Sequence, residues 1–362
     1  MKHSTCLIFV FLFLGLKALA QCNGYAATCN KRYDQVSFLT THNAFNSAEN
    51  NFFMPNQNYG VTRQLEDGVR ALMLDVYDSS GTVLVYHGFP VLGRQLLVDI
   101  LVEVKDFLDQ HTNEVVTIIF ESYVSSNAIE NTFQQTGLSS RLFTKQEHND
   151  WPTLQEMISA DKRLVVFSDI NDAGPGQDWY HYVWKYCVET HFSVHDTAQF
   201  TNDFNRGDSV NDLFIFNHFV TTSPFGLGSP TLSAQANLFS FLSSRILENY
   251  LAKNKFPNFI TLDFYDIGDG KKVVDWVNSG VLSFDKSKSG KASVFPNPSA
   301  GSFFLFSNLS SKYFRVLDML GKPVKSGITN PSGDMILTLE LDPGYYLLCF
   351  ETGDVLKICV EK

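Results

Sequence analysis

The segment Phe38-Leu39-Thr40-Thr41-His42-Asn43 decides the fold, because a short apolar run rich in β-forming residues ends there in a histidine and an asparagine. The same pattern recurs along the chain, where each β-rich run precedes a polar loop and a stretch with helical periodicity. Near-continuous apolar strands that alternate with helices are typical of parallel strands covered on both faces. We predict strands over residues 36–41, 69–77, 83–86, 115–121, 163–168, 213–219 and 259–265, an eighth near 192–195, and helices over 96–110 and 238–253. These strand–helix units are expected to close into an α/β fold of the (β/α)8 TIM-barrel type.

Polar side chains end nearly every predicted strand. In barrels of this type the chemistry sits at the carboxyl ends of the strands. The residues at these ends are His42 and Asn43, Asp75 and Asp78, His87, Glu121, Asp169, Asn217 and His218, and Asp263. Turn-forming preferences account for some of them, but not for two histidines and a glutamate. Since histidine both takes and gives a proton near neutral pH, His42 and His87 are predicted to form an acid–base pair.

The remaining histidines carry no such pattern. We assign them to the surface or to packing; they are His111, His148, His181, His191 and His195.

The composition changes after Ser283. A Ser- and Lys-rich segment over residues 284–293 predicts a linker. Short alternating runs separated by turn signals follow, and they predict a small all-β sandwich over residues 294–362. This region contains no histidine and no clustered carboxylates, so we assign it no chemistry.

The first twenty residues predict a secretory signal peptide, because an apolar core precedes the small-x-small site Ala18-Leu19-Ala20. That core is too short to span a membrane. The expected mature barrel therefore covers residues 21–283, outside the cytoplasm. In an oxidising compartment Cys22 and Cys29 are expected to form a local disulfide, whereas Cys187, Cys349 and Cys359 are expected to be buried free thiols.

Charge excludes one class of partner. The formal net charge is −10, whereas nucleic-acid binding requires clustered Lys and Arg, so no nucleic-acid partner is expected. The same balance argues against strong electrostatic attachment to anionic lipid.

Three blocks of sequence resemble the X-domain of phosphatidylinositol-specific phospholipases C, particularly the secreted plant-like and bacterial proteins. They are Thr41-His42-Asn43-Ala44-Phe45, Gly68-x-Arg70 leading into Leu74-Asp75-x-Tyr77-Asp78, and Tyr86-His87-Gly88-Phe89. The similarity continues through residues 114–121, 151–154, 163–167 and 257–260, and it spans about residues 30–282. The resemblance implies a secreted phosphoric diester hydrolase or lyase on a PLC-like barrel.

The resemblance also implies roles for individual residues. His42 acts on the attacking inositol hydroxyl, His87 protonates the leaving oxygen, and a cyclic phosphate forms between the two steps. Asn43, Asp75 and Glu121 match ligands of Ca²⁺ in the calcium-dependent members, although Met73 stands where those members have an acid. Asp263 and Tyr265 loosely resemble residues that contact the head group, and a structural role for both is the favoured alternative.

Other interpretations stay open. Asp75 is also explained by an ion pair with Arg70, and Glu121 by a structural role. A glycerophosphodiester hydrolase and a catalytically silent barrel that binds head groups are the alternative functions. The expected partners of a monomeric enzyme are a phospholipid or another phosphodiester and, transiently, a membrane surface contacted around Trp179 and Phe225.

The tail has a resemblance of its own. Its blocks are Val294-Phe295-Pro296-Asn297-Pro298, Leu317-Asp318-x-x-Gly321-Lys322 and Leu341-x-x-Gly344-Tyr345-Tyr346. They are similar to the C-terminal sorting domain of the type nine secretion system. This implies a bacterial protein that engages the secretion machinery and ends outside the cell or on its surface.

Overall fold

The computed structural model describes residues 21–222, 227–281, 292–299, 301–307, 309–331, 333 and 335–361. The predicted signal peptide, Phe225 and most of the predicted linker lie outside these residues.

The predicted barrel is confirmed. Eight parallel strands form one curled sheet in the order β7-β6-β5-β2-β1-β10-β9-β8, with β3 and β4 attached beside β2. The strands are β1 Phe38–Thr41, β2 Ala71–Ser79, β3 Thr82–Val85, β4 Gln95–Leu96, β5 Val116–Tyr123, β6 Leu164–Ser168, β7 Tyr180–Tyr182, β8 Cys187–Glu189, β9 Leu213–Asn217 and β10 Phe259–Leu262. The helices are α1 Val61–Glu66, α2 Leu97–Gln110, α3 Ser126–Thr136, α4 Leu154–Ser159, α5 Val183–Tyr186, α6 Pro230–Ala236, α7 Phe239–Lys253 and α8 Gly270–Trp276.

Two strand predictions differ from the structure. The strand expected near 192–195 is wrong. The two strands at the ends of the barrel sheet are instead β7 and β8, each three residues long. Only α5 connects β7 to β8 along the chain. Within the described residues, no backbone hydrogen bonds pair these two strands. The strand expected over 83–86 exists as β3, but it runs antiparallel to β2 as a hairpin. Ser80 and Gly81 both have positive φ, as the tight turn of such a hairpin requires.

Aromatic side chains fill the barrel interior. Phe38 and Phe259, at the starts of β1 and β10, stack with their centroids 5.7 Å apart, and Phe167 packs against Phe259. The alternate residues of the strands face the surrounding helices; Leu39 and Ile260, for example, belong to the outer cluster with Ile100 and Val104 of α2. Aromatic rings fill the barrel interior, and a cavity is left at the carboxyl ends of the strands.

The described cysteines form one disulfide and leave three free thiols. The expected disulfide between Cys22 and Cys29 is confirmed. Cys187 is buried as a free thiol, while Cys349 and Cys359 are only partly buried. Trp179 was a candidate for membrane contact, but it is buried against Phe133. In the part of the chain that the structure describes, no helix has the length and apolar character to cross a bilayer.

The C-terminal region forms two small antiparallel sheets, as predicted. One has the order β11-β12-β15 and the other β14-β13-β16-β17. The strands are β11 Ser293–Phe295, β12 Ser302–Phe306, β13 Tyr313–Asp318, β14 Pro323–Ile328, β15 Met335–Thr338, β16 Gly344–Phe350 and β17 Val355–Val360. Phe303, Val316, Leu348 and Ile358 lie in the core between them.

Candidate active site

A cavity of ≈ 120 Å³ opens at the carboxyl ends of the barrel strands. Seven of the strand-end residues singled out in the sequence line it, namely His42, Asn43, Asp75, His87, Glu121, Asp169 and Asn217. They come from β2, β5 and β9 and from the turns after β1, β3 and β6. Segments that are far apart in the sequence therefore bring titratable and amide side chains together in one cavity.

His42 is held in one orientation on three sides. Its backbone N–H donates to the Leu262 carbonyl, continuing the ladder from β1 to β10. Its ring stacks on Phe219 with centroids 3.9 Å apart and planes 8° apart. Its Nδ1 lies 2.9 Å from Oδ1 of Asp263, which is buried. Since a carboxylate only accepts, Nδ1 carries the proton, and Nε2 keeps a lone pair for the cavity.

Asp263 does not contact the cavity as predicted for a head-group residue. It stands behind His42, where its second oxygen accepts from Asn56 Nδ2 at 3.0 Å. The side-chain Oδ1 of Asn56 in turn accepts from Nδ2 of Asn43 at 3.2 Å. The network therefore fixes His42 and Asn43 together, and it leaves the Asn43 Oδ1 free among the described residues. Asn43 has φ 46°, a left-handed conformation that asparagine tolerates.

His87 follows β3 and has no side-chain hydrogen bond to any residue in the described ranges. Burial lowers its pKa, and the proximity of His42 lowers it further. The lowered pKa favours the neutral form of the His87 ring in the free protein, so a general acid at this position needs the negative charge of a bound phosphate to hold its proton.

Three carboxylates line the same cavity. Asp75 of β2 and Glu121 of β5 are in-register neighbours on parallel strands, and Asp169 follows β6. Burial raises the pKa of Asp75 well above its usual range, and the charges of Glu121 and Asp169 raise it further. Asp75 accepts no hydrogen bond from any described residue, and its alternative partner Arg70 binds Glu114 at 2.7 Å instead.

These oxygen donors fit a hard cation, because an unpaired buried carboxylate, a neighbouring carboxylate and an amide oxygen are ligands that Ca²⁺ accepts. No three His, Cys, Asp or Glu side chains in the described ranges are gathered around one metal position, so the amide of Asn43 is needed. Met73 also lines the cavity and offers only a thioether. Asn43, Asp75 and Glu121 would supply three of the six to eight ligands that Ca²⁺ takes.

Sequence reasoning missed Arg206 and Glu189. Arg206 is the sole Lys or Arg lining the cavity among the described residues. Its Nε donates to buried Glu189 at 2.6 Å, and its guanidinium lies over the rings of Trp184 and Phe192. Both Nη atoms lack partners in the described structure. No motif marked this pair, because Glu189 ends a three-residue strand and Arg206 lies in the loop before β9.

Two further predicted residues have structural surroundings. Tyr265 is buried, its hydroxyl donates to Asp67 at 2.9 Å, and the cavity lining does not include it. Glu121 accepts from the hydroxyl of Tyr123 at 2.5 Å. That ring stacks on Tyr77, which stacks on Tyr86, so aromatic rings support the Glu121 carboxylate.

Comparison with known proteins gives two family matches. The family described as PI-PLC X 1 matches residues 28–278, and the secretion system C-terminal sorting domain matches residues 293–361.

Individual relatives agree with the first match. A PI-PLC X domain-containing protein of Arabidopsis thaliana is 30% identical over 277 residues, covering 69% of this chain and 63% of the relative. A secreted protein of Arthroderma benhamiae is 28% identical, covering 68% and 61%. The chain thus spans about three fifths of the length of these two relatives. PI-PLC X domain-containing protein 1 of the same fungus is 28% identical, covering 71% and 89%.

Two solved structures of phosphatidylinositol-specific phospholipase C are also similar to part of this chain. The protein from Listeria monocytogenes matches with a TM-score of 0.46 at 16% identity, covering 69% of this chain and 94% of that one. A mutant of the Staphylococcus aureus protein matches with a TM-score of 0.49 at 13% identity, covering 68% and 94%.

Proposed function

The chain belongs to the PI-PLC X-domain family and carries a C-terminal secretion sorting domain, and on this premise we propose that it is a secreted phosphodiesterase resembling phospholipase C. The sorting domain marks a bacterial protein that is secreted or held at the cell surface, and it is the part that engages the secretion machinery. The barrel carries the chemistry. Its substrate is a phosphodiester with a hydroxyl adjacent to the phosphate, presented by a phospholipid.

The observation that carries the proposal is the pairing of two histidines in one cavity, one of them oriented by a buried carboxylate. Because Asp263 holds the proton on Nδ1, Nε2 of His42 is the base that removes the proton from the substrate hydroxyl. That oxygen forms a bond to phosphorus while the bond to the leaving alcohol breaks. His87 donates its proton to the leaving oxygen. General acid–base help of this kind contributes about 10²–10⁴-fold.

The product of this step is a cyclic phosphate. At that point His42 is protonated and His87 is neutral, so the two side chains have exchanged states. Water then opens the ring with the roles reversed: His87 takes a proton from water and His42 returns one to the substrate oxygen. No protein nucleophile is needed.

The charge of the phosphate requires a positive partner. Ca²⁺ held by Asn43, Asp75 and Glu121 supplies positive charge beside the phosphate when it is bound. Arg206 supplies the fixed positive charge of the cavity, and its unbonded Nη atoms are available to substrate oxygens. Preorganised charge of this kind is often the largest contribution to rate.

Phosphorus NMR of the purified protein with phosphatidylinositol tests the proposal. A transient five-membered cyclic phosphate is expected. Direct appearance of a linear glycerophosphate instead would favour a glycerophosphodiester hydrolase. No turnover, together with saturable binding of the head group, would indicate a silent barrel.

A further inference from the structure

A narrow crevice of ≈ 10 Å³ adjoins the candidate active site, and His87 lines both the crevice and the main cavity. The ring of His87 therefore stands between the two spaces. Asn46 also lines the crevice, and the other lining residues are apolar or glycine, namely Phe52, Phe53, Met54, Leu92, Gly93 and Leu227. A hydrogen bond between side chains across this crevice therefore joins Asn46 and His87.

The orientation of the Asn46 amide follows from the buried Asp263. Since a carboxylate only accepts hydrogen bonds, the Asn56 side chain presents its Nδ2 to Asp263, 3.0 Å from Oδ2. The Oδ1 of Asn56 is then the atom that accepts from Nδ2 of Asn46, at 2.7 Å. The remaining polar atom of the Asn46 side chain is its Oδ1, which is an acceptor.

This acceptor is buried, fixed and unpaired. Asn46 is 4% exposed, and its Oδ1 has no hydrogen-bond partner in the described part of the chain. The Asn46 backbone is held as well, because its N–H donates to the Asn43 carbonyl and its carbonyl accepts from the N–H groups of Asn56 and Gln57. Leaving a buried acceptor without a donor is unfavourable, so Oδ1 gains free energy from any donor that reaches it.

His87 is the complementary group. Its ring has no side-chain hydrogen bond within the described ranges, and an imidazole always carries at least one N–H donor. A crevice of ≈ 10 Å³ is about the size of one water molecule, so a small rotation of the ring closes it. Hydrogen bonds to catalytic side chains are often long in the free protein and shorten when the substrate binds.

We propose that Asn46 is a positioning residue for His87, whose ring donates a hydrogen bond to Asn46 Oδ1 from the nitrogen on the crevice side and keeps its other nitrogen for the reaction. The consequence for catalysis rests on the proposed function, whereas the hydrogen bond itself is detected without turnover.

The two histidines then differ in the charge of their acceptors. Asp263 behind His42 is a carboxylate, and it stabilises a protonated ring more strongly than the neutral amide of Asn46 does. His42 is consequently the stronger base and His87 the stronger acid. The residue behind each ring thereby assigns the first proton transfer to His42 and the second to His87.

The test is nitrogen NMR of the histidine rings in the full chain, at mildly alkaline pH where the rings are neutral. One His87 nitrogen is expected at the shift of a protonated nitrogen and the other at that of an unprotonated one. Asn46→Ala is expected to average the two shifts, because no acceptor then selects one tautomer. Asn46→Asp keeps an acceptor and is expected to keep the separate shifts. The His87 signals are identified by their loss in His87→Gln.

Exposed Asn149→Ala is the control, and it is expected to give the wild-type pattern because Asn149 does not line the crevice. Averaged His87 shifts in the wild type would overturn the proposal, whether or not the variants fold. So would separate shifts that Asn46→Ala leaves unchanged.

Turnover gives a second measurement. Asn46→Ala is expected to lower kcat by about tenfold or more with little change in KM, since a correctly oriented ring is needed only when the leaving oxygen takes its proton. Absence of turnover in the wild type would overturn the proposed function, while the ring shifts would still decide whether Asn46 holds His87.

Discussion

Oδ1 of Asp263 lies 2.9 Å from Nδ1 of His42, so a buried carboxylate after one strand sets the tautomer of a histidine after the neighbouring strand. No other residue in the described ranges forms a hydrogen bond with the His42 ring nitrogens. The arrangement leaves Nε2 as the base and makes Asp263 a positioning residue.

Substitution of either histidine should strongly reduce turnover. In His42→Ala the substrate hydroxyl loses its base, and in His87→Ala the leaving oxygen loses its acid, so each rate should fall by about 10²–10⁴-fold. The release of phosphate products measured by phosphorus NMR checks this. Thermal unfolding midpoints close to wild type, with exposed His148→Ala as control, would show that the barrel is intact. Retained activity in both variants would remove the site assignment.

Asp263→Asn should lower kcat by about 10²-fold or more with little change in KM, because an amide no longer holds the proton on Nδ1. A matched control is Asp266→Asn. Asp266 also accepts from an asparagine side chain, Asn58, but it is exposed and does not contact a histidine. Equal effects of the two substitutions would argue against a positioning role.

Removal of calcium should reduce activity. Exhaustive treatment with EGTA is expected to lower turnover, and added Ca²⁺ is expected to restore it. Calorimetric titration with Ca²⁺ alone should show weaker binding by Glu121→Gln, because one oxygen ligand loses its charge. Glu147→Gln, which alters an exposed ion pair with Lys185, should bind like wild type. Full activity after chelation would leave Arg206 as the positive group in the cavity.

Arg206→Lys should raise KM by about tenfold, since lysine keeps the charge but loses the planar fork that Glu189 and the two rings hold. Steady-state kinetics separates KM from kcat. Arg63→Lys provides the control, because Arg63 also pairs through Nε with a carboxylate, Asp67, and lies over a ring, Tyr59, but outside the cavity. No difference between the two variants would exclude Arg206 from substrate binding.

Acid should destabilise the barrel through His181. Its Nδ1–H donates to the Val166 carbonyl and its Nε2 accepts from the Lys145 N–H, so the folded protein holds the ring neutral. Burial lowers its pKa from 6.5 to about 4. The unfolded chain then binds more protons, and the free energy of unfolding should fall by up to about 3 kcal/mol as the pH drops from 6.5 to 4. His181→Asn should flatten this dependence in urea titrations, and exposed His148→Asn should not.

The sequence predicted the barrel because its longer strands are continuous apolar runs that end in polar groups. Thr41 before His42 and Phe120 before Glu121 are examples, and periodicity located both strands within a few residues. The three-residue strands β7 and β8 were missed, since so short a segment has no periodicity.

The sequence predicted those site residues that lie in recognisable motifs. His42, Asn43, Asp75, His87 and Glu121 do line one cavity. Tyr265 faces elsewhere, because a strand-end position does not specify whether a side chain points into the barrel mouth. Arg206 depends on a loop folding back over β8, and that contact has no local signature in the sequence.

The hairpin of β2 and β3 places His87 on a segment outside the parallel path of the barrel sheet. β3 lies off the parallel path of the sheet, whereas His42 follows a strand paired on both edges. The chain around the acid His87 can therefore change in length more readily than the chain around the base His42. Insertions or deletions in the turn after β3 would move the acid without interrupting the parallel path of the sheet, so divergence of activity within this architecture should concentrate in one hairpin.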